Sequence, residues 1–170
     1  GHAPAEHGRP RPGSGLMFAP VVGWLQAAYT AVTAALPNAT VTLGPLLSDP
    51  PGDVVLVGHD DDQGRDGTGW GFEGGWHDTG TGALNSGDAT VYVTCWSRSG
   101  GDLTMADRMT AATTLHNAVM AALIPSPAGS GLGVSGVLWA ELAAVRAQLL
   151  PVTGGNQVRT VLSIRLRCLS

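Results

Sequence analysis

Ala89-Thr-Val-Tyr-Val-Thr-Cys-Trp-Ser-Arg98, followed by Ser99-Gly-Gly-Asp102 and Thr104-Met-Ala-Asp107, is the stretch that decides the fold. Its first part alternates. Ala89, Val91, Val93 and Cys95 fall on one side of an extended chain, and Thr90, Tyr92, Thr94 and Trp96 on the other. That is the pattern of a strand whose two faces differ. The glycine pair then turns the chain. Thr104 with an acid three residues later resembles a capping box, with Asp107 in the usual Glu place. Met105, Met109, Ala112, Leu115, Val119 and Leu123 recur at helical spacing until Ile124-Pro125 stops the run. A strand thus feeds directly into a long amphipathic helix.

Upstream, Pro20 suits a first helical turn. Val21, Leu25, Ala28, Tyr29, Val32 and Leu36 then form an apolar stripe that Pro37-Asn38 ends. Thr40–Leu43 predicts a short strand. Asp53–Val57 predicts a strand buried on both faces, because its apolar run does not alternate. Residues 58–87 are rich in Gly and Asp, and inside them Trp70, Phe72 and Trp76 share a strand period. Downstream, Pro125–Ser135 is a loop. Val137–Leu150 fits a helix through Leu138, Leu142, Val145 and Leu149, and equally fits the first arm of a hairpin turning at Thr153-Gly-Gly-Asn156. Gln157–Leu169 is a firm strand. The order predicts an α+β fold: a largely antiparallel, mixed sheet with two long helices on one face and a long Gly-rich β excursion. Residues 1–19 are expected to be a flexible arm, and 20–170 a single domain.

The chain has 170 residues, with Gly 25 and Pro 11 making up about a fifth of it, against roughly 12% in ordinary usage. Charged residues are 13%, about half the usual share. The net charge is −4, and all nine basic residues are arginine. The absence of lysine excludes a P-loop, a Schiff base and a Ser–Lys dyad. Few cations outnumbered by acids argue against a sequence-specific DNA binder, since such affinity rests on neutralised phosphates. No 18-residue apolar run predicts a membrane span, and the N-terminal residues have no apolar core of a secretory signal. Cys95 and Cys168 lack CxxC spacing and read as buried thiols of a reducing compartment, with a disulfide between neighbouring strands left open.

Asp60, Asp61 and Asp62 form the densest polar cluster. Asp60, Asp62 and Gly64 match the start of a calcium loop, but the third acid is absent and the twelfth position is Gly71. No metal and no cofactor is expected. The histidines His2, His7, His59, His77 and His116 form no H-x-x-x-H pair, and no serine sits in a G-x-S-x-G elbow; the chain is not expected to be an enzyme. In the last strand Val158, Thr160, Leu162, Ile164, Leu166 and Cys168 share one face, while Arg159, Arg165 and Arg167 share the other. Such arginines either protect a sheet edge or offer forked bonds to the carboxylates of a partner. Arg159, Arg165 and Arg167, with Asp60, Asp61 and Asp62, are the candidate interface residues.

Taken together, the first helix, the D-V-V-L-V-G strand at 53–58, the strand A-T-V-Y-V-T-C-W-S-R with its Ser-Gly-Gly-Asp turn, the Ala-rich helix and the closing Arg/aliphatic strand resemble the tail terminator (tail completion) proteins of long-tailed phages, the lambda-type group. The resemblance covers about residues 20–169 and selects the hairpin for Val137–Leu150. It implies a virion protein of the tail neck region, assembled in the host cytoplasm. Such a protein forms a homo-oligomeric ring, a hexamer, on the head-proximal end of the tail tube. Its implied partners are its own copies, the tail tube protein and the head connector or neck protein, with DNA only passing through the lumen and no membrane. Another neck or head-completion adaptor, or a small ligand-binding α+β domain, are the alternatives.

Overall fold

The computed structural model describes residues 14–59, 72–77, 86–125, 131–152 and 155–169. The elements follow the order α1 (Ser14–Ala35), β1 (Thr40–Leu43), β2 (Val54–Val57), β3 (Phe72–His77), β4 (Ser86–Ser97), α2 (Met105–Leu123), β5 (Val137–Val152) and β6 (Gly155–Leu169). Val137–Val152 is a strand, as the hairpin reading expects. The strands form one six-stranded sheet in the order β1-β2-β4-β6-β5, with β3 also paired to β4. Strand β4 is long enough to serve two neighbours on one side. Its Ser86–Val91 half pairs with β3, and its Val93–Trp96 half pairs with β2. Only β1 and β2 run parallel; the other pairings are antiparallel. The α+β class with a mixed, mostly antiparallel sheet is what the sequence order implies.

Alternation puts the core on one side of this sheet. Val91, Val93 and Cys95 of β4 and Leu162, Ile164, Leu166 and Cys168 of β6 are buried beneath the helices. Helix α1 adds Val21, Trp24, Leu25, Ala28 and Val32, each at most 1% exposed. Full burial of a Val, Leu or Ile side chain is worth about 1.5–3 kcal/mol, so this face dominates the stability. Strand β2 is buried at every position, as its unalternating run implies.

Four expectations need correction. Helix α1 begins at Ser14 and holds Pro20 inside it, so the arm cannot extend to residue 19. Leu16-Met-Phe-Ala19 favour helix, and a proline here costs one bond to a carbonyl four residues back. The loop before β5 also packs on that proline: Gly136 has φ +84°, and a Cβ on it would meet Pro20 Cγ at 2.8 Å. Residues 1–13 lie outside the described ones. Tyr29 is 37% exposed, not core. At 3.6 residues per turn it sits roughly 80° round from Val21, and Trp24 takes the core position instead. Met105 and Met109 are 54% and 58% exposed, because the buried stripe of α2 starts at Arg108. Finally, β6 lies between β4 and β5, so its arginines do not protect an edge.

Candidate functional site

The arginine face is the side of the sheet opposite the helices, and cross-strand register answers Arg159, Arg165 and Arg167 on it. Arg167 pairs across with Asp88 on β4 and Trp139 on β5. Its Nε lies 2.8 Å from Asp88 Oδ1, and its guanidinium carbon is 5.8 Å from the Trp139 ring centre. Arg165 pairs with Glu141, and its Nη1 donates to Glu141 Oε1 at 3.3 Å. Arg159 pairs with Trp96 and stacks over its ring at 4.5 Å, while Arg98 approaches the same ring at 5.4 Å. The structure therefore brings Arg159, Arg165 and Arg167 onto one face and supplies acids or rings beside them. The Arg165–Glu141 pair is half exposed, so it is worth about 0–1 kcal/mol and stays reachable by a partner. Asp60, Asp61 and Asp62 lie outside the described residues.

Arg98 builds one end of this face and Arg108, on the helix side, holds the turn next to it; the sequence reading singled out neither. Arg98 Nε donates to Gly52 O at 2.7 Å, Nη1 to Asp49 Oδ1 at 2.8 Å, and Nη2 to Pro50 O. Asp53 Oδ1 accepts from the backbone N–H groups of Arg98 and Ser99, each at 2.9 Å. The connection between β1 and β2 is thereby pinned under the end of β4, with Leu47 of that connection 99% exposed. Arg108 of α2 is fully buried; its Nη1 donates to Ser99 O at 2.8 Å and its Nη2 to Gly101 O at 2.9 Å. A cation in the first turn of a helix thus closes the glycine turn that precedes it. Thr104 caps the same helix, accepting from Asp107 N at 3.2 Å as the capping pattern expects. A cavity of about 720 Å³ opens between Trp96, Arg98, Gln157, Arg159 and Asp49. Its walls suit polar docking, and its one carboxylate is already held by Arg98.

On the helix side, α2 stops short of covering β5. A groove of about 230 Å³ runs between Met109, Ala112 and His116 of α2 and Val145, Val158 and Thr160 of the hairpin. Leu142, Val145 and Leu149 are 36%, 45% and 36% exposed beside it. Strand β5 is an edge among the described residues. It carries Pro151 and two register shifts, between Val137 and Trp139 and between Leu142 and Ala144, which discourage pairing with another strand.

The cysteines take no part in either surface. Cys95 sits opposite Thr160, and Cys168 opposite Gly87. Eight positions along β6 separate the two rows, about 26 Å, far beyond disulfide reach. Burial, with the nearby Asp53 charge, pushes the Cys95 thiol up to about 12. Burial and Asp88 push Cys168 up to about 11. Both thiols are therefore neutral and unreactive near pH 7. Among the described residues no group of three His, Cys, Asp or Glu gathers as a metal set, and no helix is long and apolar enough to cross a membrane.

No family model matches this sequence, and no curated protein matches it. A solved structure does: a chain in the virion of a native gene transfer agent (GTA) particle superposes with a TM-score of 0.53 at 15% identity, over 90% of this chain and 99% of that one. At that identity the likeness is one of fold, so this chain shares its α+β architecture with nearly the whole of a virion component.

Proposed function

We propose that this chain is a structural subunit of a phage-like virion that caps the head-proximal end of a tail tube as a homo-oligomeric ring. The observation that carries the reading is the fold match, which spans 99% of a chain from a virion particle. The resemblance of the sequence to tail terminators narrows it to the capping role, with six copies, at the joint between tube and head connector. The protein acts by fit rather than by catalysis. One surface of the ring docks on the last ring of tube subunits, and the other offers no further tube-type docking surface, so growth ends there. Low charge suits a subunit that buries much of itself against neighbours. A net charge of −4 suits a lumen through which DNA slides without being held. The half-exposed Arg165–Glu141 pair, flanked by Arg159 and Arg167, is the docking face assigned to a neighbouring virion protein, together with the Asp60–Asp62 segment.

The test is oligomer mass in solution, alone and with tail tube protein, with electron microscopy of tube ends. Rings seated on one end of each tube, with tubes that stop elongating, are the expected result. A chain that stays monomeric and never associates with tube ends refutes the proposal. Binding to portal-side proteins in place of the tube reassigns the chain to a neck adaptor.

A further inference from the structure

Resting on the ring-forming part of that reading, we infer that the subunits join through the helix side of the sheet. The α1–β1 edge of one copy seats in the trough between α2 and β5 of the next.

Among the described residues the helix layer leaves the β5 edge least covered. Helix α1 lies mainly against β1 and also touches β2, β3, β6 and β5, and α2 lies against β4 and β6. The lower half of β5 carries no helix, and Leu142, Val145 and Leu149 are left in solvent beside Met109. The opposite edge offers apolar groups of its own on the same side: Tyr29 of α1 and Leu43 of β1 are 37% and 38% exposed. The two edges stand level. Val41, Val55, Cys95, Thr160 and Ala147 form one row across the sheet, about 19 Å from edge to edge. Thr160 and Ala147 of that row line the trough. A sideways step of one subunit therefore carries one edge onto the other. Because the two edges differ, the contact is head-to-tail, the type that closes into rings when its rotation closes.

The surfaces are chemically prepared for burial by a second copy. Helix α1 contains no charged residue in its 22 positions. The exposed threonines of both helices are satisfied internally. Thr30 and Thr33 donate to Gln26 O and Tyr29 O, and Thr110, Thr113 and Thr114 to Ala106 O, Met109 O and Thr110 O. Each hydroxyl is bonded to its own helix and leaves its methyl group outward. These hydroxyls can lose their water without being stranded, and His116, whose Nδ1 has no hydrogen-bond partner among the described residues, is the polar group of the trough that the second copy meets. The kinks and Pro151 of β5 oppose strand addition, so the occupant docks on side chains and does not extend the sheet.

The test is a cross-link between copies. Leu43→Cys and Val145→Cys chains are mixed in equal amounts and oxidised. The buried native thiols, raised to about 12 and 11, contribute little background. At least ten-fold more cross-linked dimer in the mixture than in either variant alone is expected, and the double variant should give a ladder ending in a closed ring. Tyr29→Asp and Val145→Asp should each bring the assembled mass down to the 17.3 kDa subunit while leaving the melting temperature unchanged. A ring that survives both substitutions and yields no cross-link overturns this contact and leaves the capping reading standing. A ring that cross-links but ignores tube ends supports the contact and overturns the capping role. No assembly, alone or on tube ends, overturns both.

Discussion

Replacing Arg108 tests how the β4–α2 turn is held. The side chain is 0% exposed and bonds two backbone carbonyls, Ser99 O and Gly101 O. Hydrogen bonds from a charged donor contribute about 1.5–3 kcal/mol each net of exchange with water, so roughly 3–6 kcal/mol is the upper value for the two. Replacing a buried charged group by an apolar one of similar volume is often close to neutral, because its desolvation cost leaves with its bonds. Arg108→Met keeps most of the volume and removes both terms, and should cost about 1 kcal/mol. Arg108→Ala frees the same two carbonyls and also leaves a void, and truncating a buried long side chain costs about 2–5 kcal/mol. The expected loss is about 3 kcal/mol. For a chain of 170 residues that lowers the melting temperature by about 6–12 °C. Urea unfolding of the three proteins measures the order. Hydrogen exchange at the Leu103 amide, which donates to Gly101 O at 3.0 Å, reports the turn itself and should quicken in both variants. An alanine variant within about 0.5 kcal/mol of the parent refutes the reasoning. So does a methionine variant less stable than the alanine one.

Three further outcomes follow from the packing. Leu115→Asp places an unpaired charge on the α2 stripe at a position 5% exposed; it should cost several kcal/mol and abolish folding, seen as loss of the thermal transition and of soluble yield. Both cysteines have folded pKa values above their ordinary 9.0, so the folded state holds protons that the unfolded state releases. Stability should be level below about pH 8.5 and fall as pH rises from about 9 towards 12; urea midpoints at pH 8 and pH 10.5 measure it, and Cys95→Val should flatten the slope. Asp88→Asn breaks the ion pair to Arg167, both about one-third exposed; it should cost no more than about 1 kcal/mol and less in high salt, by the same urea assay at two ionic strengths.

The parts of the fold legible in the sequence were those in which one face is buried. Ala89–Arg98 and Gln157–Leu169 alternate because β4 and β6 are central strands with the helices on one side only. Val137–Leu150 was not decidable by period, since Leu142, Val145 and Leu149 are exposed and burial imposed no pattern on β5. The family resemblance, not the spacing, selected the strand. Arg108 was hidden by its chemistry. It stands four residues before Ala112 on the buried stripe, but a cation there is legible only once the two carbonyls of the turn are placed. Leu47 carried no signal, because nothing in a Pro-rich connection distinguishes an apolar side chain in solvent from one in a core. Of the candidate interface, the shared side of Arg159, Arg165 and Arg167 was readable from alternation. Their partners Trp96, Asp88, Trp139 and Glu141 were not, because they depend on register between strands far apart in the chain.

The place of β6 in the sheet also sets when this protein can take shape. It is the last of the described elements to leave the ribosome, yet it joins β4 to β5 and fills the middle of the core. Until it emerges, β4 lacks one neighbour along its whole length and both helices lack part of their floor. A nascent or truncated chain therefore has no half-sized native form to fall back on. Folding of each copy must wait until β6 itself has been made.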